Sequence, residues 1–99
     1  MAYLLAKATV EDFEAWKSSF DSNDPFRTEH GQQGYQTFQS VDDPNEVVVL
    51  FDWIDGEDPR AFFGSEEMRE RMAEAGLKGM PEMSVVEMVD QKSTVEPSA

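Results

Sequence analysis

Ninety-nine residues, 39% of them hydrophobic, describe one small domain. Twenty-one acidic residues against eight basic ones give a net charge of −13, which leaves no basic patch for phosphates and excludes nucleic-acid binding. Cysteine is absent, so disulfides and thiolate zinc sites are excluded, and no apolar run reaches the ~18 residues of a membrane span.

The acids are spread along the whole chain, and lysine occurs only at Lys7, Lys17, Lys78 and Lys92. Such dispersed acidity is expected of salt-accumulating, haloarchaeal proteins, where molar salt screens self-repulsion. An ordinary acidic protein is the plainer alternative. No signal-peptide pattern opens the chain, so a cytoplasmic location is expected, with no membrane partner.

In chain order, Ala2 to Ala8 reads as a first strand, Tyr3 and Leu5 facing one way, Leu4, Ala6 and Ala8 the other. Thr9 reads as a helix N-cap, with Asp12 completing a weak capping box. Val10, Phe13, Trp16 and Phe20 then form one helical stripe. Asn23-Asp24-Pro25 interrupts this helix, because the residue before proline avoids the helical region. A short second piece is expected over Phe26 to His30, closed by Gly31.

Gly34 to Val41 reads as an edge strand of mixed polarity. Asp42-Asp43-Pro44-Asn45 has turn chemistry, so this strand and the next form a hairpin. Asn45 to Ile54 is apolar on both sides: Val47, Val49, Phe51 and Trp53 on one, Val48, Leu50 and Ile54 on the other. A strand of that kind needs cover on both faces. Asp58 caps a further helix with Pro59 at its first position, and Gly64 breaks it. Ser65 starts another piece, with Met68, Met72 and Ala75 inward and Gly76 as a left-handed end cap. Leu77 is placed to pack back on Met72. Glu82 to Val89 is the last strand. Residues 1–90 are read as the single domain and 91–99 as a disordered tail.

Strand, helix, strand, strand, helix, strand with right-handed crossovers gives an α+β, ferredoxin-like βαββαβ fold, with a mostly antiparallel four-stranded sheet and its helices on one face. The other face of the central strand then needs a second copy of the chain, and a homodimer through the open sheet face is expected.

Few residues carry chemistry. His30 is the only imidazole, able to change charge near neutral pH and act as acid or base; alternatively it merely ends a helix. Asp52 lies in the most apolar strand, where desolvation favours a protonated carboxyl; alternatively it is a wet residue at the rim of the sheet. Phe13, Trp16, Phe20, Trp53 and Phe62 can wall a flat pocket for an aromatic ligand between helices and sheet, or simply fill the core. The pocket is expected there, with His30 nearest its mouth. One histidine without cysteine does not make a zinc site. Asp21, Asn23 and Asp24 lack the glycine and terminal glutamate of a calcium loop, so no metal is expected. No dinucleotide fingerprint, phosphate loop or nucleophile elbow is present.

Three segments, V-E-D-F-E-A-W-K at Val10 to Lys17, D-D-P-N-E-V-V-V-L-F-D-W at Asp42 to Trp53 and M-R-E-R-M-A-E-A-G at Met68 to Gly76, resemble the dimeric α/β-barrel superfamily. The resemblance is strongest to small antibiotic-biosynthesis-monooxygenase-like or cyclase-like proteins and covers residues 3 to 89. It implies a homodimeric barrel and a range of activities, from cofactor-free oxygenation to cyclisation. Haem-degrading relatives carry an asparagine on the first strand and a histidine on the second helix; neither is present here, so haem and other cofactors are not expected.

Two functional expectations follow. One is a cofactor-free enzyme acting on a small aromatic or enolic compound, with His30 or Asp52 taking a proton. The other is a non-catalytic small-molecule binder or structural protein on the same fold. The acidity carries its own expectation. If it is halophilic, the melting temperature should rise clearly between about 0.1 M and about 2 M KCl, as repulsion is screened; a melt independent of salt would remove the halophilic reading.

Overall fold

The computed structural model describes residues 2–92, and residues 93–99 of the expected tail lie outside them. The order is β1 (Ala2–Thr9), α1 (Phe13–Ser22), α2 (Asp24–Glu29), β2 (Gln32–Gln39), β3 (Glu46–Trp53), α3 (Pro59–Phe63), α4 (Glu66–Glu74) and β4 (Glu82–Glu87). The strands form one antiparallel sheet in the order β2-β3-β1-β4. This is the ferredoxin-like α+β arrangement, with β3 and β1 central and β2 at an edge.

Side-chain alternation sets the layers. Val47, Val49, Phe51 and Trp53 on β3, with Leu4 on β1, are buried and form one continuous core with Trp16, Phe20, Phe62, Phe63 and Met68 from the helices. Between them, Val48, Leu50 and Asp52 face the opposite side and are half-buried. Register puts Leu5 across from Leu50, Lys7 across from Val48 and Phe38 across from Val48. Phe38 remains 53% exposed and Met88 51%, so this second face is apolar and uncovered within one chain.

Several helix ends follow the expected chemistry. The Asp58 carboxylate accepts from Arg60 N, with Pro59 in the first turn. Ser65 Oγ accepts from Met68 N. Gly76 has φ 90, the left-handed region in which glycine has no side chain to clash. Leu77 N donates to the Met72 carbonyl at 3.4 Å.

Other boundaries are corrected. The α1 cap is Asp12, not Thr9: its carboxylate accepts from Ala15 N at 3.0 Å. Thr9 instead completes β1, and Val10, expected on the helical stripe, bridges to Leu77 and is fully buried. The long-range bond from Phe13 N to Asn45 Oδ1, 3.2 Å, fixes where the helix starts. Asp24 and Pro25 belong to the first turn of α2 rather than to a break before it, since proline lacks the N–H that a first turn leaves unused. Consequently α2 is Asp24–Glu29, not Phe26 to His30. Likewise β2 begins at Gln32, with a bulge before Gly34, and ends at Gln39, where Ser40 N already pairs with Glu46 O across the turn. The last strand stops at Glu87, because its register partner Ala2 begins β1.

Gly31 is the most closely packed of the described glycines. Its φ is +127, and a Cβ there would lie 2.6 Å from Trp53 Nε1. Its carbonyl accepts from Ile54 N at 2.8 Å, so it cannot shift without releasing the end of β3. Gly31→Ala should therefore destabilise the chain by about 2–4 kcal/mol, combining backbone strain with overpacking. Urea denaturation measures this; a loss below about 1 kcal/mol would mean that the His30–Gly31 corner yields easily.

Candidate functional site

The space between helices and sheet arises where β1 turns small. Ala6 and Ala8 stand opposite Val49 and Val47, with Met83 beside Ala6. Two alanines leave a hollow in an otherwise bulky floor. Trp16 and Phe20 from α1, Phe51 from β3, Phe63 from α3 and Met72 from α4 close over it, with Leu77 and Pro81 at one end. The hollow holds about 60 Å³, well short of the ~300 Å³ at which ligand pockets begin. A further hollow of about 230 Å³ lies outside, against Arg69, Ala73, Gly79 and Met80. Met72, Leu77 and Pro81 line both spaces and form the partition between them. Methionine is flexible enough to yield to a ligand.

No residue lining the inner cavity is ionisable. Of the aromatic residues singled out in the sequence, Trp16 and Phe20 form its wall. Phe13 is half-buried behind Trp16, ring centroids 5.8 Å apart. Trp53 is fully buried behind Phe51 and Phe63. Phe62 packs on Trp53 but reaches a different space.

That space holds His30. A surface groove of about 350 Å³ runs over Phe26, His30, Ala61 and Phe62, with Glu57, Asp58 and Glu67 at its rim. The imidazole is exposed and packs against Phe26 and Phe62, at 4.6 and 5.1 Å. Its Nδ1 lies 2.9 Å from the Phe26 carbonyl; a carbonyl only accepts, so this bond places the proton on Nδ1 and leaves Nε2 as a base. Beside it, hydrogen bonds from the Arg60 side chain and backbone hold the Asp58 carboxyl below the usual carboxylate range.

Asp52 lies on the opposite side of the sheet. It borders a hollow of about 290 Å³ with Tyr3, Gly34, Leu50 and Met88. One of its oxygens, Oδ1, is buried without a hydrogen-bond partner. The structure thus brings neither His30 nor Asp52 to the inner cavity, and it does not bring them to each other. Among the described residues, no three histidine or acidic side chains converge to hold a metal ion.

The sequence reading missed Arg27, which is 1% exposed. Its Nε donates to Gln32 Oε1 at 2.8 Å and its Nη1 to the Phe20 carbonyl at 2.9 Å. Its Nη2 is 3.6 Å from Asp24 Oδ1 and has no hydrogen-bond partner. The guanidinium carbon sits 3.8 Å from the centroid of the Phe20 ring, a close cation–π contact. Burial pushes its pKa below the usual arginine value, opposed by Asp24, Tyr35 and Asp21. Gln32 completes the cluster, its Nε2 donating to Asp24 at 2.7 Å. The sequence offered no local signal for it, because Arg27 lies beyond the break at Asn23, on a different helix from Phe20.

Comparison with known proteins agrees with this architecture. The antibiotic biosynthesis monooxygenase family matches residues 4–74. No curated protein sequence matches significantly. SnoaB of Streptomyces nogalater, a cofactor-independent oxygenase, superposes with a TM-score of 0.72 at 15% identity, over 91% of this chain and 94% of its own. A Bordetella bronchiseptica protein named for the same monooxygenase family gives 0.70 at 18% identity, over 89% and 96%. A conserved Methanosarcina mazei protein gives 0.64 at 19% identity, over 86% and 89%. At such identities the structures share the fold alone. The family match, however, spans β1 through α4 and includes most of the cavity wall, so the chain belongs to the antibiotic biosynthesis monooxygenase family.

Proposed function

We propose that this chain takes a small, flat, apolar compound into the cavity between helices and sheet and oxidises it with dioxygen, without metal or flavin. The observation that carries this reading is the cavity wall: Trp16, Phe20, Phe51 and Phe63 around a floor of alanine and valine, bordered by Met72, Leu77 and Pro81. Such a wall binds a planar ring through burial and stacking. The family membership and the likeness in fold to SnoaB support the oxygenase reading. Where no external reductant takes part, the substrate must supply every electron. An activated methylene does so: CH2 plus O2 gives C=O plus H2O, with both hydrogens leaving in the water.

The first step is loss of a proton from an enolic or phenolic substrate. His30 and Asp52 are the candidates to accept it. His30 stands first, since its exposed imidazole lines a groove next to Phe62. A base works only within hydrogen-bond reach, directly or through one water, so His30 requires the ligand to extend beyond the inner cavity or water to relay the proton, and Asp52, on the far face of the sheet, serves only a ligand bound in its own hollow. The same requirement favours a second reading, a non-catalytic binder, because no acid or base lines the cavity itself.

A hydroxyanthrone separates these readings. Quenching of Trp16 fluorescence together with oxygen uptake above the protein-free rate is the expected result. Quenching without uptake favours the binder. Neither response would remove the cavity as the site. Given turnover, His30→Ala should slow it by about a hundredfold or more, the usual contribution of a positioned base; an unchanged rate would pass the role to Asp52, tested as Asp52→Asn.

The assembly proposed is a two-fold homodimer through the uncovered sheet face, with Leu5, Phe38, Leu50 and Val86 at its centre. It should bury about 1,500 Å² or more in total. Light scattering at micromolar protein in molar salt should give twice the chain mass, and Leu50→Lys should return it to one. A monomer in the unsubstituted chain would sink the dimer.

A further inference from the structure

The inner cavity is too small to hold a ligand by itself. The hollow of about 60 Å³ and the outer one of about 230 Å³ share Met72, Leu77 and Pro81 as a wall. Joined, they approach the ~300 Å³ of a ligand pocket; separate, neither does. The Met72 side chain, unbranched and adaptable, is the one that can turn aside to join them. The two ends of the joined space differ in chemistry. Rings and alkyl groups alone line the inner end. The outer end carries one charge, Arg69 on α4.

That arginine stands apart from the others. Among the described residues, Arg27, Arg60 and Arg71 each pair with a carboxylate, whereas Arg69 has no ion pair. The other surface hollows carry acids. Glu67, Glu70 and Glu74 line a groove of about 490 Å³ between α1 and α4. Carboxylates rim the His30 groove, and Asp52 borders the hollow on the far face of the sheet. No carboxylate lines the hollow at Arg69. A chain of net charge −13 repels an anion wherever no cation is set against it, so this corner is where an anion is received. A guanidinium offers paired donors that match the two oxygens of a carboxylate.

We infer that the two spaces form one site for a planar aromatic or enolic acid, its ring in the inner cavity and its carboxylate on Arg69, which acts as the specificity residue. The inference rests on the cavity being the ligand site and adds the ligand's charge to that reading. Because Arg69 is exposed, water weakens the pair, and the expected preference for a charged over a neutral head group is about fivefold.

The test compares 4-nitrobenzoate with 4-nitrobenzamide, flat rings of similar size with a charged and a neutral head, by calorimetric titration of the full chain at neutral pH. The benzoate should bind about fivefold more tightly. In Arg69→Gln, which keeps a good helix former and removes the charge, that preference should vanish or reverse while the benzamide binds as before. Arg69→Lys should keep part of it. Ala6→Leu, which fills the inner hollow, should weaken both compounds alike. Equal affinities in the unsubstituted chain overturn the inference, as does a preference that survives Arg69→Gln or an equal loss of both compounds in that variant; benzamide binding then leaves the cavity reading standing. Benzoate binding undiminished in Ala6→Leu overturns the joined site. Failure of both compounds to bind the unsubstituted chain strikes the cavity reading and the inference with it.

Discussion

The inner row of β3 is the surface on which the rest of this small protein is laid. Val47, Val49, Phe51 and Trp53 are each at most 4% exposed; α1, α3 and α4 bury apolar side chains in the core they anchor, and Phe26 of α2 packs against it. Burying side chains of this size contributes about 1.5–3 kcal/mol each. Truncating one such aromatic to alanine costs about 3–5 kcal/mol, a large share of the stability of a domain this size. The helical layer is therefore shaped to the row rather than the reverse. Its helices are short and broken at Asn23 and at Gly64, so that each piece can tilt to bring its own rings inward.

Beside the half-buried Phe26, α2 also buries a charge. Removing an ion from water costs several kcal/mol, and breaking a buried pair costs about 3–5 kcal/mol. Arg27 meets that cost with two hydrogen bonds, an ion pair and the Phe20 face. The arrangement ties three elements at one point: Phe20 of α1, Asp24 of α2 and Gln32 at the start of β2. It also explains why β2 starts two residues earlier than its side-chain pattern suggests. Gln32 is 6% exposed because its amide both accepts from Arg27 and donates to Asp24.

Much of the architecture was legible in the residues. Alternation marked β3 and the two faces of the sheet, and turn chemistry marked the hairpin. Asp58-Pro59, Ser65 and Gly76 marked helix ends, because each satisfies a local rule that tertiary contacts did not override. Thr9 failed for the opposite reason. It and Asp12 are both good caps, and the choice was made by Asn45, a partner 32 residues away from Phe13. Arg27 was hidden by composition, since arginine is seldom buried and its partners lie on three different elements. The cavity was partly visible: the aromatic stripe gave Trp16 and Phe20, but its true cause was subtraction at Ala6 and Ala8, which pattern reading treats as ordinary strand residues. His30 and Asp52 stood out as lone polar groups among apolar neighbours; nothing in one dimension could tell that the sheet would separate them.

Met72 is held within α4, but the loop side of the partition, Leu77 and Pro81, is tied down by little. Lys78 N donates to Thr9 O, Glu11 N donates to Gly76 O, and Val10 bridges to Leu77. Left-handed glycines stand at 76 and 79, and Met80 points out at 68% exposure. Breaking these few bonds would lift one wall of the cavity while β3 and the aromatic row stayed packed, a local opening far cheaper than unfolding. The backbone amides of Glu11 and Lys78 are thereby set apart from those of the central strands. Their exchange with solvent would follow the breathing of this corner, and the arrival of a bound molecule would be governed by how often the corner opens rather than by the stability of the domain.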